Sequence, residues 1–358
     1  MSRYSPEFRP PFWLPEGQSQ TIIGAKLARY PRIAFTRQRI DTHDGDFIDL
    51  DWNIPNMHDF PGQIDSSAKS KRPLNAPPAP NSINIQSAEP VPSFTGNALV
   101  LFHGLEGSSQ SHYAQLICHD FRAQGWAVVV AHFRGCSGEA NRLPRCYFSG
   151  DTQDVATVMQ AIQQRLPQAH WYATGISMGG NVLLKYIAEN HDNFLQAVAS
   201  ISAPTDLVST GLALGNSFFG RHVYTPYFLN TMKPKMREKA TRFPGQINIA
   251  AIEAAKTLKA FDDAYTGPIH GFRDAIDYWT RCSAKPLLKN IVTPTLILNA
   301  QNDPFVPAHT LPTEADISNA VLLHQPKHGG HVGFSQGTFP HHLGWLSQRL
   351  WNFFTLGH

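Results

Sequence analysis

Apolar and polar positions divide this chain into segments of different period. From Arg37 to Trp52, in RQRIDTHDGDFIDLDW, they alternate on both sides of His-Asp-Gly. A period of two interrupted by a turn tripeptide predicts a β-hairpin. From about Asn56 to Thr95 the composition shifts to Pro, Ser, Asn, Ala and Lys, as in LNAPPAPNSINIQ. That stretch buries too little apolar surface to hold structure and is expected to form a flexible insertion. At Asn97 the pattern changes again, because NALVLFHGLEG is an unbroken apolar run ending in glycines, as a strand buried on both faces should be. A helix over about 112–124 should follow. WAVVVAHFRG, HWYATGIS and QAVASISAP then read as strands, with DTQDVATVMQAIQQRL and NVLLKYIAEN as helices between them. This alternation predicts an α/β fold with a mostly parallel central sheet flanked by helices.

The alternation stops at Asp206 and resumes near Thr293 with TPTLILNAQNDPF. A gap of that length exceeds an ordinary connection and predicts a helical lid insertion, with INIAAIEAAKTLKAFDDAY as one helix-like stretch. Its aromatic residues Phe218, Phe219, Tyr224, Tyr227 and Phe228 are candidates for a substrate-binding wall and equally for packing between lid and core. The chain closes with a strand AVLLHQ, a loop PKHGGHVGF and an apolar-periodic helix HHLGWLSQRLWNFF. The expected domains are 1–55, an N-terminal extension and hairpin; 56–95, the flexible insertion; 96–205 and 286–358, the core; and 206–285, the lid.

Composition narrows the class. Hydrophobic residues are 42% of the 358 positions and charged ones only 16%, enough to fill a large core. The net charge of +3 is small and its cations are scattered, apart from Lys69, Lys71 and Arg72, so nucleic acid is not expected as a partner. The four cysteines show neither CxxC spacing nor a dense framework, which fits a reducing, cytoplasmic setting. The first twenty residues carry prolines and charges where an export signal needs an apolar stretch, and no apolar run is long enough for a membrane span. Peripheral contact with a membrane stays open, as does the oligomeric state.

The chemistry concentrates in Gly175-Ile176-Ser177-Met178-Gly179, set where an apolar strand stops and a helical pattern begins. This is the pattern of a nucleophile elbow, in which glycines clear room for a sharp turn that leaves the serine hydroxyl exposed. A serine hydroxyl needs a histidine to take its proton and a carboxylate to orient that histidine. Asp303, at the end of TPTLILNAQND, and His331, in GGHVGF, follow in the order this arrangement uses. Asp206 is a rival acid, and His324 and His328 are rival histidines, although His324 falls in the strand pattern itself. These histidines together also invite a metal reading, which their spacing and the lack of an acidic or cysteine ligand nearby disfavour. Neither a metal nor a cofactor is therefore expected. Two backbone N–H groups should face the developing oxyanion, from Met178 and from Leu105 in HGLEG, with His103 bracing the loop.

With these residues in place the chain resembles the α/β-hydrolase fold proteins, and among them the YheT-like hydrolases related to the eukaryotic ABHD1, ABHD2 and ABHD3 branch. FRPPFWLPEGQSQTI, DGDFIDLDW, HGLEGSSQSHY, HFRGCSGE, GISMGGN, QNDPFVP and HGGHVGF are similar to that family's blocks and stand in its order. The resemblance spans nearly the whole chain except the segment near 56–95. It implies hydrolysis of carboxylic esters, with Ser177, Asp303 and His331 as the matching triad and a small-molecule ester or lipid as substrate. Short or medium acyl esters are the expected preference, with acyl transfer or a lipase on acylglycerols or phospholipids as alternatives and a non-catalytic scaffold as a remoter one.

Overall fold

The computed structural model describes residues 8–55, 90–91, 93–339 and 341–357. Almost all of the segment expected to be a flexible insertion lies outside the described residues.

Eight strands form one sheet: β1 (Thr36–Asp41), β2 (Phe47–Asn53), β3 (Asn97–Phe102), β4 (Ala127–Ala131), β5 (His170–Ile176), β6 (Ala197–Ile201), β7 (Thr295–Leu298) and β8 (Val321–His324). Their order across the sheet is β1-β2-β4-β3-β5-β6-β7-β8. The hairpin β1–β2 is antiparallel and joins the sheet by an antiparallel pairing of β2 with β4; every other neighbour pair is parallel. The hairpin turn closes through Thr42 N–H donating to Asp46 O at 3.0 Å, with Gly45 at φ 84°. A left-handed conformation suits glycine, which is why Asp-Gly marks the turn in the sequence.

The unbroken apolar strands follow from burial on both faces. In β3, Ala98, Val100 and Phe102 enter one core with helices α3 (Thr152–Arg165) and α4 (Met178–Glu189). Leu99 and Leu101 point the other way, into a second core with α2 (His112–Ala123) and the C-terminal Gly344–Leu356 helix. Such a strand has no polar face to show, so its period of two is hidden.

Parallel register aligns the ends of the strands. Phe102 pairs with Gly175, Ile176 with Ile201, Ile201 with Leu298, and Leu298 with His324. The segments that leave these ends, beginning at 103, 177, 202, 299 and 325, therefore emerge along one edge of the sheet, where open α/β sheets gather their ligands.

Between β6 and β7 the chain forms six α-helices: α5 (Leu207–Asn216), α6 (Thr225–Arg242), α7 (Ile249–Ala254), α8 (Leu258–Phe261), α9 (Gly267–Ile269) and α10 (Ala275–Cys282). The stretch expected as one helix is broken. Lys233 Nζ donates to the carbonyls of Glu253 and Ala255, each at 2.8 Å, and ends α7. Thr257 then starts α8 afresh, its hydroxyl accepting from Ala260 N–H at 3.1 Å. Here a cation supplied from α6 satisfies carbonyls that the end of α7 leaves without helical partners.

One helix that the sequence reading lacks stands near the N-terminus, α1 (Gly17–Leu27). Its buried residues are Gly17, Gln20, Thr21 and Gly24, small or polar rather than apolar. Without an apolar stripe it carries no hydrophobic period to detect. The final helix, α11 (Gly344–Leu356), matches the expected one within a few residues at its start. Among the described residues, no helix is long and apolar enough to cross a membrane.

Candidate active site

Ser177 sits between the end of β5 and the start of α4 with φ 54° and ψ −120°, a strained conformation for a residue with a side chain. The turn is held by Ser177 N–H donating to Ile201 O at 2.8 Å and by Ser177 O accepting from Gly180 N–H at 2.9 Å. A Cβ added at Gly175 would lie 2.4 Å from Gly179 O, and one at Gly179 would lie 2.3 Å from Phe102 O. Only glycine fits either position, because carbonyl oxygens of neighbouring backbone fill the space a side chain would need.

His331 Nε2 lies 3.0 Å from Ser177 Oγ, and His331 Nδ1 lies 2.8 Å from Asp303 Oδ2. The other carboxylate oxygen, Asp303 Oδ1, accepts from the backbone N–H groups of Phe305 at 2.8 Å and Val306 at 3.2 Å. Asp303 is fully buried and the His331 ring is 13% exposed, so the acid is sealed while the imidazole edge faces the cavity beyond it. The arrangement aligns a hydroxyl, an imidazole and a carboxylate for proton transfer away from Ser177 Oγ. Two of the rival residues, Asp206 and His324, are occupied elsewhere, and no hydrogen bond joins the third, His328, to Ser177 or Asp303 among the described residues. Asp206 caps α5, its carboxylate accepting from Ser209 N–H at 3.0 Å and Ser209 Oγ at 2.8 Å. His324 ends β8 and its Nδ1 accepts from Arg349 Nε at 2.9 Å. Burial first, and the Arg349 charge second, pull the His324 pKa down to about 4.

The two candidate oxyanion donors lie on segments that meet at Ser177. Met178 is the first residue of α4, where a helix leaves its N–H groups without carbonyl partners. In the loop after β3, Gly104 N–H donates to Tyr113 Oη at 3.0 Å and Glu106 N–H to Tyr147 Oη at 3.1 Å. Among the described residues, Leu105 N–H, between these two anchored amides, has no hydrogen-bond partner. His103 braces the same loop: Nδ1 is 2.8 Å from Gly104 O and Nε2 accepts from Phe133 N–H at 3.1 Å. Burial, then the neighbouring His132, lowers its pKa to about 3, so the ring is neutral.

Helix α1 supports the His331 loop from outside the sheet. His331 N–H donates to Thr21 Oγ1 at 2.8 Å, Gly329 N–H to Gln20 Oε1 at 2.7 Å, and Gly330 N–H to Asn302 Oδ1 at 3.0 Å. These bonds hold a loop whose next residue, Val332, has φ 57°. Sequence reasoning missed Gln20 and Thr21, which lie some three hundred positions from their partners.

A cavity of about 160 Å³ opens on Ser177 and His331, walled by the core and by α5, α6, α8 and α10. Leu105, Met178, Leu214, Phe228, Met236 and Phe305 give much of it an apolar lining. Of the five lid aromatics singled out in the sequence, Phe228 reaches this lining. Tyr224 is not in the lining: it is buried, packs on Phe305 at 4.3 Å between ring centres and donates to Gln18. Phe305 in turn packs on the His331 ring at 4.3 Å. Phe218, Phe219 and Tyr227 lie outside the lining and are solvent-exposed, on the side of the Gly220–Tyr224 turn and of the start of α6 that faces away from the core.

Charged groups also reach the cavity. The fully buried Arg134 guanidinium is neutralised by Asp154, at 2.7 and 2.6 Å, and Asp44, at 2.9 Å. Asp262 begins a π-helical turn, Asp262–Thr266, and accepts from Trp279 Nε1 at 2.9 Å. Burial raises its pKa to about 6, outweighing the lowering by Thr266 and Trp279. A raised carboxyl pKa means that the folded state holds a proton which the unfolded chain releases near pH 4. Its contribution to stability is thus full below pH 4 and is lost as pH rises to about 6. Relative to Asp262→Asn, the wild type should lose roughly 2 kcal/mol over that interval. Urea unfolding of both proteins from pH 4 to 7 checks this, and a constant difference between them would rule it out.

Fold, strand order and the serine turn together define an α/β hydrolase. Residues 97–338 match the family described as the alpha/beta hydrolase fold, to which this chain belongs. Over 97% of its length the chain is 35% identical to "Putative esterase YheT" of Escherichia coli (strain K12), covering 92% of that protein. It is 28% identical to "Phospholipase ABHD3" of Homo sapiens over 93% of this chain and 75% of that one. Among solved structures, DcsB in complex with its substrate analogue is similar over 91% of this chain and 100% of that one, with a TM-score of 0.51 and 12% identity, a likeness of fold alone.

Proposed function

We propose that this protein is a carboxylic ester hydrolase in which Ser177, His331 and Asp303 form a catalytic triad. The observation that carries the reading is the hydrogen-bond chain from Ser177 Oγ through His331 to Asp303, opening on an apolar cavity. Ser177 Oγ attacks the ester carbonyl carbon as its proton passes to His331 Nε2, and the carbonyl π pair moves to oxygen. The resulting oxyanion accepts hydrogen bonds from the Leu105 and Met178 N–H groups. His331 then returns the proton to the departing alcohol, leaving an acyl group on Ser177 that water removes by the same steps. Asp303 holds Nδ1–H of His331, so that Nε2 is the free base before attack.

The apolar lining favours an acyl group over a sugar or a nucleotide in the cavity. Short to medium acyl esters are the expected substrates. A lipase or phospholipase is the second reading, favoured by the phospholipase name of the human relative. Acyl transfer uses the same triad with an alcohol in place of water. p-Nitrophenyl esters from acetate to palmitate, assayed beside fluorophosphonate labelling, test the set. Labelling with activity concentrated at or below about eight carbons supports the esterase. Rising activity toward palmitate selects the lipase, and absence of both labelling and turnover removes the enzyme reading.

A further inference from the structure

Glu106 follows Leu105 and has φ 57°, in the left-handed region where a side chain is disfavoured and glycine would be the unstrained residue. Its carboxylate makes two contacts that glycine could not. Tyr147 Oη donates to Glu106 Oε1 at 2.9 Å while accepting Glu106 N–H at 3.1 Å, so the phenol closes a ring with backbone and side chain of one residue. Lys235 Nζ, from α6, lies 2.7 Å from Glu106 Oε2. Glu106 is 6% exposed at its side chain and Lys235 35%, so the pair joins the oxyanion loop to the helical insertion at the cavity wall. Tyr147 is itself fixed by stacking on Phe133, with ring centres 5.5 Å apart.

The Leu105 N–H lies in the Gly104–Leu105 peptide, and its aim depends on how the amides before and after it are held. Among the described residues Leu105 N–H has no partner, whereas the amides of Gly104 and Glu106 are both held by phenols. The carboxylate tied to Tyr147 and Lys235 helps to hold the strained torsion at Glu106, and its release would let the Leu105–Glu106 peptide shift and carry the preceding peptide, with its Leu105 N–H, out of line with Ser177.

Resting on the hydrolase reading above, we infer that Glu106, Tyr147 and Lys235 are positioning residues that aim the Leu105 N–H at the oxyanion and couple that aim to the placement of α6. The burial of Lys235 lowers its ammonium pKa, but the neighbouring Cys136 and Glu106 more than offset this, so the cation is retained at neutral pH. Acyl chains that press on α6 are thereby in contact with the machinery that stabilises charge on the carbonyl oxygen. An interaction of this kind acts on the transition state and leaves the bound ester nearly untouched.

The test compares Glu106→Gln, Lys235→Met and Lys235→Arg with the wild type, using p-nitrophenyl butyrate and a pair of ketones. A butyl trifluoromethyl ketone adds Ser177 Oγ to its carbonyl carbon, gives the serine proton to His331 and carries the oxyanion. The matching methyl ketone binds without that charge. Glu106→Gln and Lys235→Met should lower kcat about tenfold or more with KM within about twofold, against the 10²–10³ typical of deleting a donor outright. Trifluoromethyl ketone affinity should fall in parallel, methyl ketone affinity should hold, and Lys235→Arg should recover most of kcat. Unchanged kcat, or equal weakening of both ketones, would overturn the inference and assign the ion pair to packing alone. Thermal unfolding is followed for each variant, and if Glu106→Gln does not fold, Lys235→Met on the exposed side of the pair carries the comparison. A wild type inert toward both esters and fluorophosphonate would instead remove the hydrolase reading itself.

Discussion

Ser177→Ala is expected to abolish ester turnover, by roughly 10⁶-fold in kcat, and to end fluorophosphonate labelling, while the fold survives. The size of the loss follows from the chemistry: without Oγ there is no atom within 3.0 Å of His331 Nε2 to attack the carbonyl. What remains is water in a cavity with oriented N–H donors, which accounts for residual catalysis only. The fold should persist because the sharp turn depends on backbone bonds, from Ser177 N–H to Ile201 O and from Gly180 N–H to Ser177 O, that alanine keeps. Alanine also keeps the strained φ of 54°, so no large gain in stability is expected. An unfolding midpoint within a few degrees of the wild type, together with loss of labelling, is the expected pair of results. Labelling that survives the substitution would place the nucleophile elsewhere.

Asp303→Asn should lower kcat by about 10⁴-fold with little change in KM, and the way the carboxylate is anchored says why. Asp303 Oδ1 accepts two backbone N–H bonds, from Phe305 and Val306. An asparagine keeps those bonds only by leaving its amide oxygen there, which turns its NH₂ toward His331 Nδ1. That nitrogen must then act as acceptor, so the ring proton moves to Nε2, the atom that should take the serine proton. The base is present in the wrong tautomer, with the geometry otherwise kept. Activity that climbs steeply with alkaline pH, as hydroxide replaces the missing base, would accord with this. An asparagine variant at near wild-type rate would move the acid's role to another residue.

Both predictions concern residues that could be read from the chain, because each sits at a chemically marked turn. Ser177 lies between glycines that neighbouring carbonyls make obligatory, and such constraints leave a trace in local sequence. Asp303 and His331 each follow an apolar strand, and parallel register carries them to the edge where Ser177 emerges. The lid aromatics were less legible. Phe228 reaches the cavity and Phe218 does not, though ten positions part them, since a helical insertion without clear apolar period does not say which face it turns inward.

The sequence by itself determined the alternating strands and helices, the hairpin before them, and the order in which a serine, an acid and a histidine leave the sheet. These are local matters of period, glycine sterics and strand exits, and neighbouring residues suffice to encode them. Only the tertiary structure decided that α1 braces the His331 loop through Gln20 and Thr21, that Lys233 ends α7, and that Lys235 meets Glu106 beside the Leu105 amide. Each of these is a polar contact between separate elements, from about twenty to some three hundred positions apart in the chain. A polar side chain carries no period that names its partner, and its bonds exist only after the apolar layers have packed and brought the two segments together.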